Sequence, residues 1–326
     1  MAANSAFLGH GIFTEFSVTR ALARYAHYNS PNAHPAPRDA IDRFVFALQD
    51  MGVRTVWIQL FSRDGDVEPD DRSRTLRKTL IDRLGQAQIK WAGWGYCAGK
   101  RWSTDKTLIV KFKNDLQMSA FVIDAEPGNL VYPNPDDPDG DKLPDLWRLE
   151  DFDAFTDFVS QNFGKDNLAL TTWPVLQIQD DERNGNPLIK LMEIASPRIS
   201  LFVPQAYWMS YPTDVHYGFG LKERDYPRND SISFVRLVVK SWRMLGFNDP
   251  LVIAGQAYWG EKSPAQATME GKVKNFSAHF PDWSQIAGFG WYHAGMANTA
   301  AEGSMSDAMI TGIVAGRLGG KPYQQP

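Results

Sequence analysis

The chain has 326 residues, a net charge of −4 and 43% hydrophobic residues. This length fits one large α/β barrel or two ordinary domains. The small negative charge excludes a general affinity for nucleic acid or for anionic membranes. No window approaches the roughly 18 uninterrupted apolar residues of a membrane helix. Residues 1–7 lack a basic region followed by an apolar stretch, so we expect no secretory signal and leave the location open.

Apolar strand-like runs alternate with helical patterns along the chain. We predict strands at 7–13, 53–61, 90–97, 120–126, 168–173, 201–208, 251–259 and 286–293. We predict helices at 38–51, 72–84, 104–116, 149–163, 187–195, 231–245, 263–279 and 304–317. Eight such units predict an α/β fold, a single (β/α)8 TIM barrel. The alternative is an open doubly wound sheet, but no Gly-x-Gly-x-x-Gly sequence follows the first strand.

The barrel is expected to span residues 1–318, and residues 319–326 are expected to form a loose C-terminal tail. Cys97 is the single cysteine and lies in an apolar strand, so we expect it to fill the core. The six histidines show no His-x-x-x-His spacing, which disfavours a metal-assisted hydrolase or lyase. We expect a monomer.

The fourth predicted strand carries the strongest functional signal. Its residues 121–126 read Phe-Val-Ile-Asp-Ala-Glu, and Pro127 then stops the strand because it has no N–H for a ladder. Side chains alternate along a strand, so Asp124 and Glu126 should share one face. Two carboxylates at the end of a buried strand are costly to place for packing alone. We therefore predict a catalytic pair; the alternative is a structural Asp beside a solvated Glu.

The two acids are expected to play different roles. Aromatic crowding disfavours an ionised carboxylate at Glu126 and would keep it protonated as a general acid. Asp124 could orient a substrate group or act as a nucleophile. Residues two apart on a strand have Cα atoms about 6.5–7 Å apart. Retaining glycosidases need carboxyl groups about 5–5.5 Å apart and inverting ones about 6.5–9.5 Å. The spacing therefore leaves the stereochemical outcome open.

Aromatic and amide side chains crowd the ends of the other predicted strands, where barrel enzymes place their sites. Aromatic faces stack on the C–H faces of sugars, while Gln and Tyr bond ring hydroxyls. The alternative is that these side chains simply fill the core at the barrel mouth. The predicted substrate-binding residues are Trp94, Tyr96, Trp173, Gln205, Tyr207, Gln256, Tyr258, Trp291 and His293.

This set resembles the active-site positions of family 18 glycoside hydrolases, the chitinases and their relatives. The resemblance implies that Glu126 is the general acid and that Asp124 holds the N-acetyl group of the substrate, which attacks the anomeric carbon. It also implies that Tyr207 steadies that acetamido group and that Trp291 forms the floor of the sugar site. The match is partial, because Val122 stands where the family has a further Asp.

The same strand is also similar to that of family 25 lysozymes, as is the sixth-strand sequence 205–207, Gln-Ala-Tyr. That family uses an Asp at the end of the first strand. This chain has Phe13 there, followed two residues later by Glu15. The two resemblances agree on a glycosidase-type barrel.

The loop after the fourth strand holds the densest acidic cluster. Its alternating acids, Asp137, Asp139 and Asp141 with Asp145, resemble calcium-binding repeats of the thrombospondin type 3 kind. Oxygen ligands at alternate positions can wrap Ca²⁺. The alternative is a solvated acidic turn held by Pro and Gly. We predict no required cofactor and a candidate structural Ca²⁺ site.

Together these features predict a glycoside hydrolase that acts on a carbohydrate polymer or oligosaccharide. The expected substrate contains N-acetylhexosamine, as peptidoglycan of the cell wall and chitin do. The alternative is a non-catalytic glycan-binding TIM barrel, which would keep the aromatic side chains and lose the acid. The sequence leaves the glycan and its linkage open.

Overall fold

The computed structural model describes residues 3–15, 17–62, 65–68, 70–125, 147–172, 187–207, 230–258, 266–279, 286–293 and 305–316. The strands are β1 Gly9–Thr14, β2 Thr55–Ser62, β3 Gly65–Asp66, β4 Lys90–Tyr96, β5 Phe121–Asp124, β6 Leu168–Thr172, β7 Leu201–Ala206, β8 Val252–Gln256 and β9 Gly288–Tyr292. The helices are α1 Val18–Arg24, α2 Ala40–Asp50, α3 Asp71–Gln86, α4 Trp102–Leu116, α5 Leu149–Phe163, α6 Pro187–Ala195, α7 Ser231–Met244, α8 Gln266–His279 and α9 Asp307–Gly316.

Eight of these strands close into a parallel barrel. The hydrogen-bonded order is β1, β2, β4, β5, β6, β7, β8 and β9, and β9 pairs with β1 again. The short β3 pairs antiparallel with the end of β2. The predicted (β/α)8 TIM barrel is confirmed. The division into a barrel of 1–318 and a tail of 319–326 stays a prediction, because residues 317–326 lie outside the described ranges.

Side-chain alternation along the strands divides the core into two clusters. The outer cluster joins residues of the strands and helices, for example Ile123 of β5 and Phe155 of α5. The inner cluster fills the barrel itself and includes Phe13, Trp57 and Val122. Cys97 is fully buried in the outer cluster, as expected of a core residue.

Trp57 occupies the barrel interior, and glycines on two other strands make room for it. Its side chain is fully buried, and its Nε1 donates a hydrogen bond to the carbonyl of Ala6 at 2.9 Å. A Cβ at Gly290 would lie 1.9 Å from Trp57 Cζ3, and one at Gly11 would lie 2.8 Å from Cη2. Interiors this tightly packed leave no room for a methyl group. The indole therefore fixes which positions of β1 and β9 must be glycine.

Polar residues begin one pleat beyond this apolar filling. Inner-cluster residues stand two positions before polar ones in the pairs Phe13 and Glu15, Trp57 and Gln59, Val122 and Asp124, Val203 and Gln205, and Ala254 and Gln256. A period of two keeps each pair on one face. The lumen is thus apolar below and polar at the carboxyl ends of the strands.

Two short elements lie where the sequence predicted loops. Helix α1 begins after Ser17, whose side chain accepts a hydrogen bond from Arg20 N. The buried Glu68 accepts a second one from Val18 N at 2.6 Å. α1 has only seven residues, so its periodicity is too brief to detect. β3 spans two residues, which is too few for any alternation.

The start of the seventh predicted helix lies outside the described residues, and α8 is described from Gln266. Among the described helices, none combines the length and the apolar character that crossing a membrane requires.

Candidate functional site

A buried carboxylate lies at the carboxyl end of β5, the fourth strand of the barrel. Asp124 is 5% exposed, and Gln205 Nε2 donates a hydrogen bond to its Oδ1 at 3.3 Å. The two residues come from β5 and β7, and β6 runs between them. On β6, Thr171 pairs with Asp124 and donates its hydroxyl to the carbonyl of Val203 at 2.8 Å. Gln205, two strands away, thus helps to hold this carboxylate in one orientation.

Tyrosine rings pack together beside this carboxylate. Tyr292 stacks on Tyr207 with ring centroids 5.1 Å apart, and Tyr258 meets both rings edge-on at 5.6–5.9 Å. On the lumen side, Tyr292 also contacts Phe13 and Trp94, at 5.9 and 6.3 Å. Offset and edge-to-face arrangements at these distances are favourable. Tyr292 therefore lies at the centre of the aromatic cluster.

A second carboxylate lies in the same mouth, directly after β1. Glu15 Oε2 is 3.0 Å from His293 Nε2, and the side chains are 22% and 8% exposed. The Tyr292 hydroxyl also donates a hydrogen bond to Glu15. Tyr292, the last residue of β9, and His293, which follows it, thus both contact the carboxylate of Glu15. Glu15 follows β1, the strand that pairs with β9.

The protonation states follow from burial and from the neighbouring acids. Burial raises the pKa of Tyr292 well above its usual 10.0, and the charges of Glu15 and Asp124 add to the effect. Burial lowers the pKa of His293 to about 3. At neutral pH, Tyr292 is therefore a neutral phenol, and His293 is a neutral imidazole whose Nε2–H donates to Glu15.

Several predicted residues join this mouth at different depths. Tyr96 pairs with Asp124 across β4 and β5 and is half-buried. Tyr258 is also half-buried, and Gln256 is fully buried with its Nε2 donating to the carbonyl of Tyr258 at 3.3 Å.

Trp94 lies lower, in the inner cluster, and its Nε1 donates to the carbonyl of Thr14 at 3.0 Å. Trp94 therefore packs against Tyr292 from the barrel interior.

Trp291 was predicted to contact substrate, and the structure places it elsewhere. Its indole is fully buried in the outer cluster, where it packs on Phe276 and Phe289 at 5.8 and 4.7 Å. Its Nε1 donates to His10 Nε2 at 2.8 Å. The strand alternation explains this, because Phe289 and Trp291 face the helices while Gly290 and Tyr292 face the lumen. The prediction that Trp291 floors a sugar site is therefore wrong.

Other predicted site residues lie outside the described ranges. These are Glu126, Trp173 and the acids Asp137, Asp139, Asp141 and Asp145. The general acid, one aromatic contact and the candidate Ca²⁺ site therefore stay predictions. Within the part of the chain that is described, no group of three or more His, Cys, Asp or Glu could hold a metal ion.

Two site residues were missing from the predicted set, Glu15 and Tyr292. The predicted first strand ended at Phe13, whereas β1 continues to Thr14 and brings Glu15 to the mouth. Tyr292 was passed over in favour of its neighbour Trp291. The contact between Gly290 and Trp57 shows which face of β9 is inward, and counting two positions from Gly290 then makes Tyr292 the inward residue.

Chemically, the mouth offers two fixed carboxylates, neutral hydrogen-bonding groups and flat apolar rings. Carboxylates can bind hydroxyl or amide N–H groups, stabilise a developing positive charge or attack a carbon atom. Tyrosine rings provide faces for apolar C–H surfaces, and their hydroxyls provide hydrogen bonds. A polyhydroxylated ring needs this combination of surfaces.

No protein-family model matches the chain, and no curated protein is similar to it in sequence. Solved structures with the same fold do match. One is active domain 2 of a thermostable chitinase from Pyrococcus furiosus, at 9% identity and TM-score 0.53, covering 99% of each chain. Another is a candidate α-L-fucosidase from Bacteroides thetaiotaomicron, at 10% identity and TM-score 0.53, covering 98% of each chain. A third is a family 113 β-1,4-mannanase, at 9% identity and TM-score 0.51, covering 97% of this chain and 99% of the other.

The chain therefore has the TIM-barrel fold that is also seen in glycoside hydrolases. The three neighbours carry the names of three different sugars, and their identities are close to 10%. The likeness thus extends to the fold, and the chemistry has to be argued from the residues of this mouth.

Proposed function

We propose that this protein is a glycoside hydrolase that cleaves an N-acetylhexosamine-containing glycan of the chitin or peptidoglycan type. One observation carries the proposal: the buried Asp124 at the end of the fourth barrel strand, oriented by Gln205 beside a cluster of tyrosine rings. In barrels of this kind, the carboxyl ends of the strands are where chemistry takes place.

Burial of Asp124 supports a functional role. Removing a carboxylate from water is costly unless hydrogen bonds compensate, and the compensation here comes in part from the neutral amide of Gln205. A purely structural position would be filled more cheaply by an apolar residue. A carboxylate oriented by a side chain from another strand is typical of groups that must meet a substrate in one geometry.

Glu126 is the proposed general acid. It follows Asp124 by two positions in the sequence, which is the spacing for the same face of an extended chain. In the proposed reaction its proton goes to the glycosidic oxygen as the bond to the anomeric carbon breaks. Asp124 then has one of two roles. It holds the acetamido group while the acetamido oxygen attacks the anomeric carbon, or it attacks that carbon itself.

The aromatic cluster supports a sugar as the substrate. Tyr207 and Tyr258 are half-buried at the mouth and pack against Tyr292. Their rings offer apolar faces near the carboxylate, and their hydroxyls can bond sugar hydroxyls. In the set of neighbouring structures, the Pyrococcus furiosus domain was solved with chito-oligosaccharides, which makes these a reasonable first probe.

The test is turnover of chitotetraose, laminaritetraose, mannotetraose and a peptidoglycan fragment. The proteins are wild type, Glu126→Gln, Asp124→Asn and the exposed control Glu193→Gln. Wild type and the control should cleave an N-acetylated probe, and both site variants should lose at least about 100-fold in kcat. Full activity of Glu126→Gln would contradict its role as the acid. Binding without turnover by wild type would favour a glycan-binding barrel instead.

A further inference from the structure

Glu15 is placed by β1 at the same mouth as Asp124. The register pairs Phe13 with Tyr292, and Phe13 points into the lumen. Glu15 follows Phe13 by two positions and so faces the same way, one pleat nearer the opening. This location is defined by the closure of the barrel, because β1 and β9 are the first and last of the eight described barrel strands and pair with each other.

Hydrogen bonds from neighbouring side chains fix the orientation of Glu15. His293 Nε2 is 3.0 Å from Oε2, and the Tyr292 hydroxyl donates a second hydrogen bond to the same carboxylate. His293 also packs on Tyr292 and Tyr258, with ring centroids 5.0 and 5.9 Å away. Hydrogen bonds to an ionised acceptor are the strong ones. The carboxylate therefore controls the direction of the Tyr292 O–H bond.

That direction determines what the Tyr292 oxygen can do. A phenol has one donor hydrogen and two acceptor lone pairs. With its hydrogen directed at Glu15, the oxygen meets a substrate as an acceptor. Tyr292 packs on Tyr207 at this mouth, and the charge of Asp124 adds to the rise in the pKa of Tyr292, so this acceptor belongs to the same site as the proposed catalytic carboxylate.

We propose that Glu15 is a positioning residue of the site, which holds Tyr292 as a hydrogen-bond acceptor for an N–H or O–H group of the bound sugar. The substrate part of this inference rests on the proposed function. The link between Glu15 and Tyr292 does not, and it is tested without any sugar.

The sugar-free test uses protein labelled with ¹³Cζ-tyrosine. The resonance missing from Tyr292→Phe identifies Tyr292. In Glu15→Gln that resonance should shift, because the neutral amide is a weaker acceptor for the Tyr292 hydroxyl than the carboxylate is. The exposed control Glu193→Gln should leave it unchanged. A Tyr292 resonance that is the same in wild type and Glu15→Gln would overturn the inference.

The substrate part is tested by calorimetric binding of the same four oligosaccharides, with every protein carrying Glu126→Gln so that no probe is cleaved. Glu15→Ala and Tyr292→Phe should each weaken binding about 10-fold. The double variant should be no weaker than either single variant, because both remove one acceptor. If the loss of affinity in the double variant equals the product of the two single losses, Glu15 does not act through Tyr292. If the Glu126→Gln protein binds none of the four, that result counts against the proposed function and against the substrate part of this inference. The resonance test would still decide whether Glu15 positions Tyr292.

Discussion

Gln205 on β7 donates a hydrogen bond to Asp124 on β5, with 3.3 Å between Nε2 and Oδ1. Gln205→Ala removes this donor from a buried carboxylate. Hydrogen bonds to charged groups contribute about 1.5–3 kcal/mol, so kcat/KM on a cleaved glycan should fall about 10- to 100-fold. The exposed Gln161→Ala is the matched control and should retain wild-type activity. Wild-type kinetics in Gln205→Ala would show that Asp124 does not need this orientation.

Gly290 and Trp57 provide a test of the barrel interior. Gly290→Ala would place a Cβ 1.9 Å from Trp57 Cζ3, so either the indole or β9 must shift. Overpacking of this kind costs about 1–3 kcal/mol, and the melting temperature should fall by several degrees. Gly85→Ala in α3 is the control, because a Cβ there meets nothing within 4 Å. It should be neutral or stabilise the helix by up to about 1 kcal/mol.

His10 should make stability depend on pH. Burial lowers its pKa to about 3 in the folded protein, against 6.5 in an unfolded chain. Below pH 6.5 His10 binds a proton in the unfolded chain but not in the folded protein. The free energy of unfolding therefore decreases as the pH falls from 6.5 towards 3. The loss is about 1.4 kcal/mol for each pH unit.

The measurement is the free energy of unfolding by urea at pH 7, 6 and 5, compared between wild type and His10→Gln. A glutamine oxygen can still accept the Trp291 N–H, so the variant should fold and show a shallower pH dependence. Exposed His279→Gln should follow wild type. Parallel curves for wild type and His10→Gln would contradict the assignment of the loss to His10.

Asp105 should change the pH dependence of stability in the opposite direction to His10, because its contribution to stability becomes more favourable as the pH falls. Burial raises its pKa to about 6, although Ala98 N and Arg101 both oppose the shift. Above pH 6 the folded protein holds a buried charge, so Asp105→Asn should stabilise it by about 1–3 kcal/mol. The Asn oxygen can still accept from Ala98 N, which lies 3.1 Å from the Asp carboxylate. The gain should be present at pH 8 and shrink towards pH 4; a loss of stability at pH 8 would contradict it.

The sequence predicted the strands well because buried parallel strands are long apolar runs with clear ends. All eight barrel strands overlap their predicted ranges, and Asp124 lies at the mouth as expected. α1 and β3 were missed because both are too short to show a period. They form through contacts distant in sequence, such as the hydrogen bond from Val18 N to Glu68.

The inward face of β9 could not be predicted in the same way. Its sequence 288–292, Gly-Phe-Gly-Trp-Tyr, is apolar on both faces, so no polar residue marks the lumen side. Only the contact between Gly290 and Trp57 of another strand settles the choice. Glu15 was missed for a related reason, since its partners come from the opposite end of the chain.

Trp291 and Tyr292 are adjacent in sequence and face opposite sides of the barrel wall, which separates their expected effects. Tyr292→Phe removes a hydroxyl that donates a hydrogen bond to Glu15 at the mouth, so glycan turnover should fall about 10-fold while the fold remains. Trp291→Phe removes an N–H from the outer core and leaves His10 Nε2 without its donor. An unsatisfied buried group costs about 1–3 kcal/mol, so the melting temperature should fall while kcat/KM stays near wild type. The melting temperature and kcat/KM should be measured for both variants. If Trp291→Phe has normal stability and impaired turnover, the indole of Trp291, and not the phenol of Tyr292, faces the substrate.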